Sequence, residues 1–295
     1  MTAAHEDEFT VEVVQEGFLR TKIVRGEMRD QRFPLPAGPD NTVFDRMRLV
    51  DVDFSAMRFV CFLSRGSEFD GCDFSGTAFD QLLLGAPVDG AVWPQSVFRG
   101  CVFRRTRFPT LTAFGNVRFE GCTCERSRLR LQTNTHEAEF VDCVFAGPIR
   151  GVNFWGRPYD FDQAALGRDH NDFSGNDVTA ARLDDVAFPH IDLRAQRFSG
   201  HTLLDRFTER AKAVLPLIDG WPDAEHRDMA RLTLEFLIAD APERIDDVAL
   251  VSPANLGRKL PPALREELFA ALRRTTSDTH RGRAAAPPGP DPAAR

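Results

Sequence analysis

The feature that most constrains this chain is a five-residue spacing of phenylalanine. The stretch FDGCDFSGTAF holds Phe69, Phe74 and Phe79 at equal steps. A helix returns side chains to one face every 3.6 residues and a strand every 2, so neither gathers such a set. Stepping by five from Phe44 meets Leu49, Phe54, Phe59, Ser64, Phe69, Phe74, Phe79 and Leu84. The step resumes at Phe98, Phe103 and Phe108, then at Phe114, Phe119, Cys124 and Leu129, then at Phe140 and Phe145. It returns at Phe173, Val178, Leu183, Phe188, Leu193 and Phe198. Of these 24 positions 16 are Phe and five are Leu, so most of the chain's 25 Phe lie on one lattice. Only one Tyr accompanies them, which points to dry sites with no partner for a hydroxyl.

The residue two before each lattice position is usually small: Ser67, Cys72, Thr77, Ser96, Cys101, Thr106, Cys122, Ser127 and Cys143 are examples. The unit therefore reads small, polar, large apolar, polar, polar. A coil that turns a corner every five residues sends the small and large residues inward and the others to water. Four sides close a turn of about 20 residues, and turns stack at ~4.8 Å. No single turn can bury its Phe, so several must stack. The motif F-x-[GD]-C-x-[FC] recurs as FRGCVF, FEGCTC and FVDCVF from residues 98, 119 and 140, a step of 21. That step puts Cys101, Cys122 and Cys143 in one inner column, with Cys72 at the same place earlier. Met47, Met57, Phe62 and Leu82 are oversized for their positions, Ser64 is undersized, and Asn171, Asn176 and Gln196 are polar where an inward residue is expected.

Units such as CDFSG, TAFDQ, VDFSA, VAFPH and IDLRA resemble the pentapeptide-repeat proteins, whose consensus is A-[DN]-L-x-x. The resemblance covers residues 42 to 200. It implies a mainly β chain folded as a right-handed quadrilateral β-helix, a pentapeptide-repeat solenoid, followed here by an α-helical C-terminal region. The expected organisation is an N-terminal cap segment and loop at 1–41 and the β-helix at 42–200, with irregular excursions at 85–97 and 146–172. A helical region at 201–280 and a disordered Pro/Ala/Gly-rich tail at 281–295 follow. FTVEVV and FLRTKIV alternate like strands. The helical period places Leu204, Phe207, Ala211 and Leu215 on one face, and Met229, Leu232 and Phe236 on another. PPALREELFAALRR opens a third helix with proline.

The formal net charge of -7 is unevenly spread. Residues 98–130 carry eight Arg against Glu120 and Glu125, whereas 157–194 are rich in Asp. A step of 21 stacks Arg99 near Glu120 and Arg104 near Glu125. It also sets Arg105 over Arg126 and Arg107 over Arg128, two like-charge stacks that need solvent or a partner to screen them. These four arginines are the candidate partner-binding residues.

GRDHNDF clusters Asp169, His170 and Asp172, and a histidine oriented by a carboxylate can act as a general base. A polar surface loop explains the same residues. The inner Cys read as small hydrophobes rather than metal ligands, since zinc needs four converging groups. No metal or cofactor is expected. No apolar run of 18 residues occurs, and the acidic N-terminus is unlike a secretory signal, so a cytoplasmic, reduced protein with no membrane partner is expected. The function favoured is a non-catalytic interaction scaffold with an unidentified protein partner and no tight binding to duplex DNA. The helical region is a candidate homodimer contact. Because some pentapeptide-repeat proteins imitate B-form DNA and protect DNA gyrase, topoisomerase protection is the first alternative. An enzyme with its site in the 146–172 excursion is the second.

Overall fold

A computed structural model describes residues 9–35, 39–86, 93–109, 112–127 and 133–275. The tail expected at 281–295 therefore lies outside the described residues, as do Arg128 and Leu129. The chain divides into two compact units, one of Met1–Leu203 with Pro242–Leu250, the other of Leu204–Ala241 with Val251–Arg295.

The first unit is a β-solenoid whose coil-to-coil ladders are parallel. Leu49 pairs with Phe69, Phe69 with Phe98, Phe98 with Phe119, Phe119 with Phe140 and Phe140 with Phe173. A second column begins at Phe54 and Phe74 and continues through Phe103, Cys124 and Phe145, a third carries Phe59 and Phe79, and a fourth Phe44 and Ser64. Rings in one column lie face to face: Phe69 and Phe98 are 4.3 Å apart, Phe54 and Phe74 4.7 Å, and Phe74 and Phe103 5.0 Å. These separations match the spacing of neighbouring strands, so one repeat distance serves backbone and side chain together. Phe74 and Phe103 are buried.

Corners explain the [GD] of the motif. Asp51, Gly71, Gly100, Gly121, Asp142 and Gly175 stack at one corner, all with φ between 50° and 67°. Each donates its N–H to the next coil, as Gly71 does to Arg99 O and Gly121 to Val141 O. Glycine takes this left-handed conformation freely, and aspartate tolerates it better than most residues.

The small inward residues do more than fit. Thr77 Oγ1 donates to Phe54 O at 2.8 Å, Thr106 Oγ1 to Phe74 O at 2.9 Å, and Ser127 Oγ to Phe103 O. Cys101 Sγ reaches Phe69 O at 3.2 Å, and Cys122 Sγ reaches Phe98 O at 3.2 Å. Each therefore satisfies a carbonyl of the preceding coil that the ladder leaves buried. In the last coils Asn176 Nδ2 bonds Phe140 O at 2.8 Å and Gln196 Nε2 bonds Phe173 O at 2.6 Å. The polar inward residues thus continue the same column of donors.

The oversized positions also resolve. Phe62 is buried, packing 4.7 Å from Phe44 and 5.3 Å from Phe79, while Ser64, two residues on, occupies the lattice site normally filled by a large residue. Large and small have changed places within one pentad. At the N-terminal end, β1 (Phe9–Glu16) forms an antiparallel hairpin with β2 (Leu19–Arg29), and β2 lies parallel to β3 (Asn41–Val50). The stretch from 146 starts as strand: Val144–Asn153 pairs in parallel with Asp177–Ala187. The excursion proper is 154–172, with one short helix, α1 (Gln163–Leu166).

The second unit contains α2 (Phe207–Asp219), α3 (Ala224–Ala239) and α4 (Pro262–Arg274). Phe207, Ala211, Val214 and Ile218 of α2 are buried. The face expected for α3 is corrected: Leu232 and Phe236 are 68% and 67% exposed, and Ala230 and Leu234 are the buried residues. Apolar residues encircle most of α3, so periodicity alone does not choose its inner side. Among the described residues no helix is long and apolar enough to cross a membrane.

Candidate interaction surface

Arg105 and Arg126 occupy a second corner column, between Gly76 and Gly147. Arg105 N donates to Glu125 O at 2.8 Å and Arg126 N to Ala146 O at 2.7 Å, as Gly76 N does to Arg104 O. Both arginines have left-handed backbones, φ 55° and 53°, where an L-residue costs about 1–2 kcal/mol. The corner turns both side chains to solvent, and both residues are exposed. Arg107 is exposed on the adjoining side, where it bridges Ala78. Glu125 is the local carboxylate, 2.8 Å from Arg104 and 3.9 Å from Arg126. Among the described residues, Arg105 and Arg107 have no ion-pair partner. Arg128, expected above Arg107, lies outside the described residues.

Arg99, Arg104 and Arg118 of the block are neutralised by carboxylates, most of them on other coils. Arg99 lies within 3.5 Å of Glu68, Asp70 and Glu120. Arg118 lies 3.3 Å from Glu139 and 3.2 Å from Asp172, and its hydrogen bond holds the Glu120 carboxyl below the usual carboxylate range. The Asp-rich stretch is met likewise, with Arg150 2.7 Å from Asp184 and Arg197 3.2 Å from Asp177. Charge that is blocked in sequence becomes mixed on the surface, because stacking brings together residues a full turn apart. Arg105 and Arg107 have no carboxylate partner among the described residues, and Arg126 has only Glu125, 3.9 Å away and shared with Arg104.

In the 154–172 loop, His170 Nδ1 lies 2.8 Å from Asp169 Oδ1 with both side chains about four-fifths exposed. Asp172 turns away to Arg118 and accepts from Ser174 Oγ at 2.6 Å. The three candidates for catalysis therefore do not converge on one point.

A different group does converge there. His136 is stacked between Trp155 at 4.1 Å and Tyr159 at 3.6 Å, and Tyr159 lies 5.1 Å from Phe161. Burial lowers the pKa of His136 to about 4 and raises those of Glu137 and Asp162. Sequence reasoning passed over these residues. The signal was present in FWGRPYDF, which concentrates aromatic residues, including the only Tyr, off the five-residue lattice.

All six cysteines are free; Cys72, Cys101, Cys122 and Cys143 are buried, and Cys61 and Cys124 half-buried. Burial pushes the thiols of Cys61, Cys101 and Cys124 above the ordinary range. Among the described residues no group of three or more His, Cys, Asp or Glu is placed to hold a metal ion.

No protein-family model and no curated protein matches the sequence. Solved structures similar to this chain include full-length QnrB1, a plasmid-mediated fluoroquinolone resistance protein, at 13% identity and a TM-score of 0.23, covering 59% of this chain and 82% of that one. HetL, a pentapeptide repeat protein involved in heterocyst differentiation regulation from the cyanobacterium Nostoc, is similar at 10% identity and a TM-score of 0.18, covering 61% and 87%.

Proposed function

We propose that this pentapeptide-repeat β-solenoid is a non-catalytic interaction scaffold that presents the Arg105–Arg126 corner to an anionic surface of a protein partner. The observation that carries the reading is the pair of exposed arginines at successive positions of one corner, both on left-handed backbone. Glycine fills the same corner in the coils on either side, at Gly76 and Gly147, so arginine is retained there against a local cost. Arg107 extends the basic strip.

Tight binding to duplex DNA is not expected, because that affinity grows with the number of phosphates neutralised and most arginines of the coil already face carboxylates. The same pairing weighs against gyrase protection by DNA mimicry, which needs a regular run of uncompensated negative charge. In this reading Leu232 and Phe236 of α3 offer the homodimer contact, and the free thiols suit a reducing compartment.

The test uses the full chain and its Arg105→Glu/Arg126→Glu variant as baits in native lysate, with captured proteins identified by mass spectrometry. The expected result is a partner held by the first and lost by the second, with the loss traced to a slower association rate at low salt. An identical capture by both baits, together with inhibition of gyrase supercoiling by both, would replace the scaffold reading with the DNA-mimic one.

A further inference from the structure

We propose that the 154–172 loop carries a second recognition site, independent of the Arg105–Arg126 corner, that receives an arginine side chain from a basic segment of a partner protein. The site has an aromatic half and an acidic half.

The aromatic half is a ladder of rings. Trp155, His136, Tyr159 and Phe161 follow one another at 4.1, 3.6 and 5.1 Å, with interplanar angles of 22°, 24° and 9°. Trp155 is half-buried and His136 buried, and from His136 outward exposure rises to 41% at Tyr159 and 79% at Phe161. The ladder therefore ends at a largely bare Phe161 ring. Most of the chain's Phe are buried; Phe161 is left largely exposed, as are Phe18 and Phe236, and it is held nearly parallel to the ring behind it.

The acidic half is supplied by the chain neighbours of the same rings. Glu137 follows His136, and Asp162 follows Phe161; both are about nine-tenths buried. Asp162 begins α1 without making a side-chain cap hydrogen bond. Burial raises the pKa of both carboxyls, and the nearness of Asp162 raises that of Glu137 further. Asp160, between the two exposed rings, is 84% exposed and held by Arg157 at 2.8 Å. Arg168 bonds the Glu137 backbone carbonyl and acts on its carboxyl, whereas Asp162 has no ion-pair partner among the described residues.

A guanidinium answers both halves. Its flat cationic face stacks on an aromatic ring, and its N–H groups fork onto carboxylates. A lysine ammonium has the charge without the plane. A nucleobase has the plane, but its phosphates would meet the carboxylates.

The test measures fluorescence anisotropy of the full-length chain with a fluorescein-labelled Gly-Arg repeat peptide, a Gly-Lys peptide of equal length, and a labelled oligo-dT. The Gly-Arg peptide is expected to bind more tightly than the Gly-Lys peptide. Phe161→Ala should weaken it about fivefold, the scale of one exposed cation–π contact, and Asp162→Asn should weaken it as well. Because Phe161 is exposed, its variant should keep the far-ultraviolet circular dichroism of the parent. Binding should also shift the ring resonances of Tyr159, the single tyrosine. Equal binding by parent and Phe161→Ala, no preference for arginine over lysine, or no binding of the Gly-Arg peptide would each overturn the proposal. Binding of oligo-dT that depends on Phe161 would overturn it in favour of single-stranded nucleic acid.

Discussion

The exchange of size between Phe62 and Ser64 can be tested by reversing it. Phe62→Ser removes a buried ring that packs on Phe44, Phe59 and Phe79 at 4.7, 5.1 and 5.3 Å. Loss of a fully buried Phe costs about 3–5 kcal/mol. Ser64→Phe alone forces a second ring into a filled layer, about 1–3 kcal/mol for overpacking. If the sites were independent, the two changes would sum to about 4–8 kcal/mol. The double variant, however, returns the ring to the lattice position and the hydroxyl to the small one. Its remaining cost is the Gly85 N–H, which loses Ser64 Oγ at 3.3 Å, about 1–3 kcal/mol for a buried donor left without its acceptor. A favourable coupling of several kcal/mol is therefore expected between the two changes. Urea unfolding of the four proteins, followed by circular dichroism, measures it. A double variant as unstable as the sum of its parents would refute the view that the two residues fill one shared volume.

Two further outcomes follow from the interior. Thiol titration of the native protein should find no readily reacting group, because four thiols are buried and burial raises the half-buried Cys61 and Cys124, whereas the denatured protein should show all six; six fast thiols in the native state would contradict the buried column. His136 should make stability depend on pH. Its pKa falls from 6.5 to about 4 on folding, so in that window the unfolded chain binds a proton that the folded chain refuses. Its contribution is complete above about pH 6.5 and declines as pH falls toward 4. His136→Phe keeps the ring stack and should flatten the difference in urea midpoint between pH 7 and pH 4.5; an unchanged slope would show that other groups set it.

Much of the coil was legible because its rule is steric and strictly periodic. Phe69, Phe98, Phe119 and Phe140 stack as a fixed step requires, and the 21-residue motif places Cys101 beneath Cys122. The pairs Arg99–Glu120 and Arg104–Glu125 were readable for the same reason. Reading became harder where three dimensions add a condition the pattern does not state. The preference for Ser, Thr and Cys at the small sites looked like one of volume, but the residues also supply a donor, as Asn176 and Gln196 show by replacing them with larger amides. The glycine or aspartate of the motif marked a corner that only backbone angles reveal. The helical period puts Leu232 and Phe236 on one face of α3, but α3 is apolar on more than one side and buries Ala230 and Leu234 instead. The aromatic ladder was missed because it lies off the lattice and joins His136 to a loop some twenty residues later.

One column also says something about how such a chain can be altered. From Leu49 to Phe173 the paired positions advance by 20, 29, 21, 21 and 33 residues, yet the ladder accepts each step as the next coil. The longer steps leave the coil at a corner and return to the same register. Lengthening a flexible loop is cheap, about 0.6 kcal/mol for each doubling. The contacts that hold the layers and those made by the excursions are thus specified by different stretches of chain. Gly85 and Gly156 still bond the layers beside them, to Ser64 and Asn116 and to Pro189, so a new segment fits beyond them, after Ala86 or at the exposed Asp169–His170 pair, and these are the graft points for changing what the scaffold recognises.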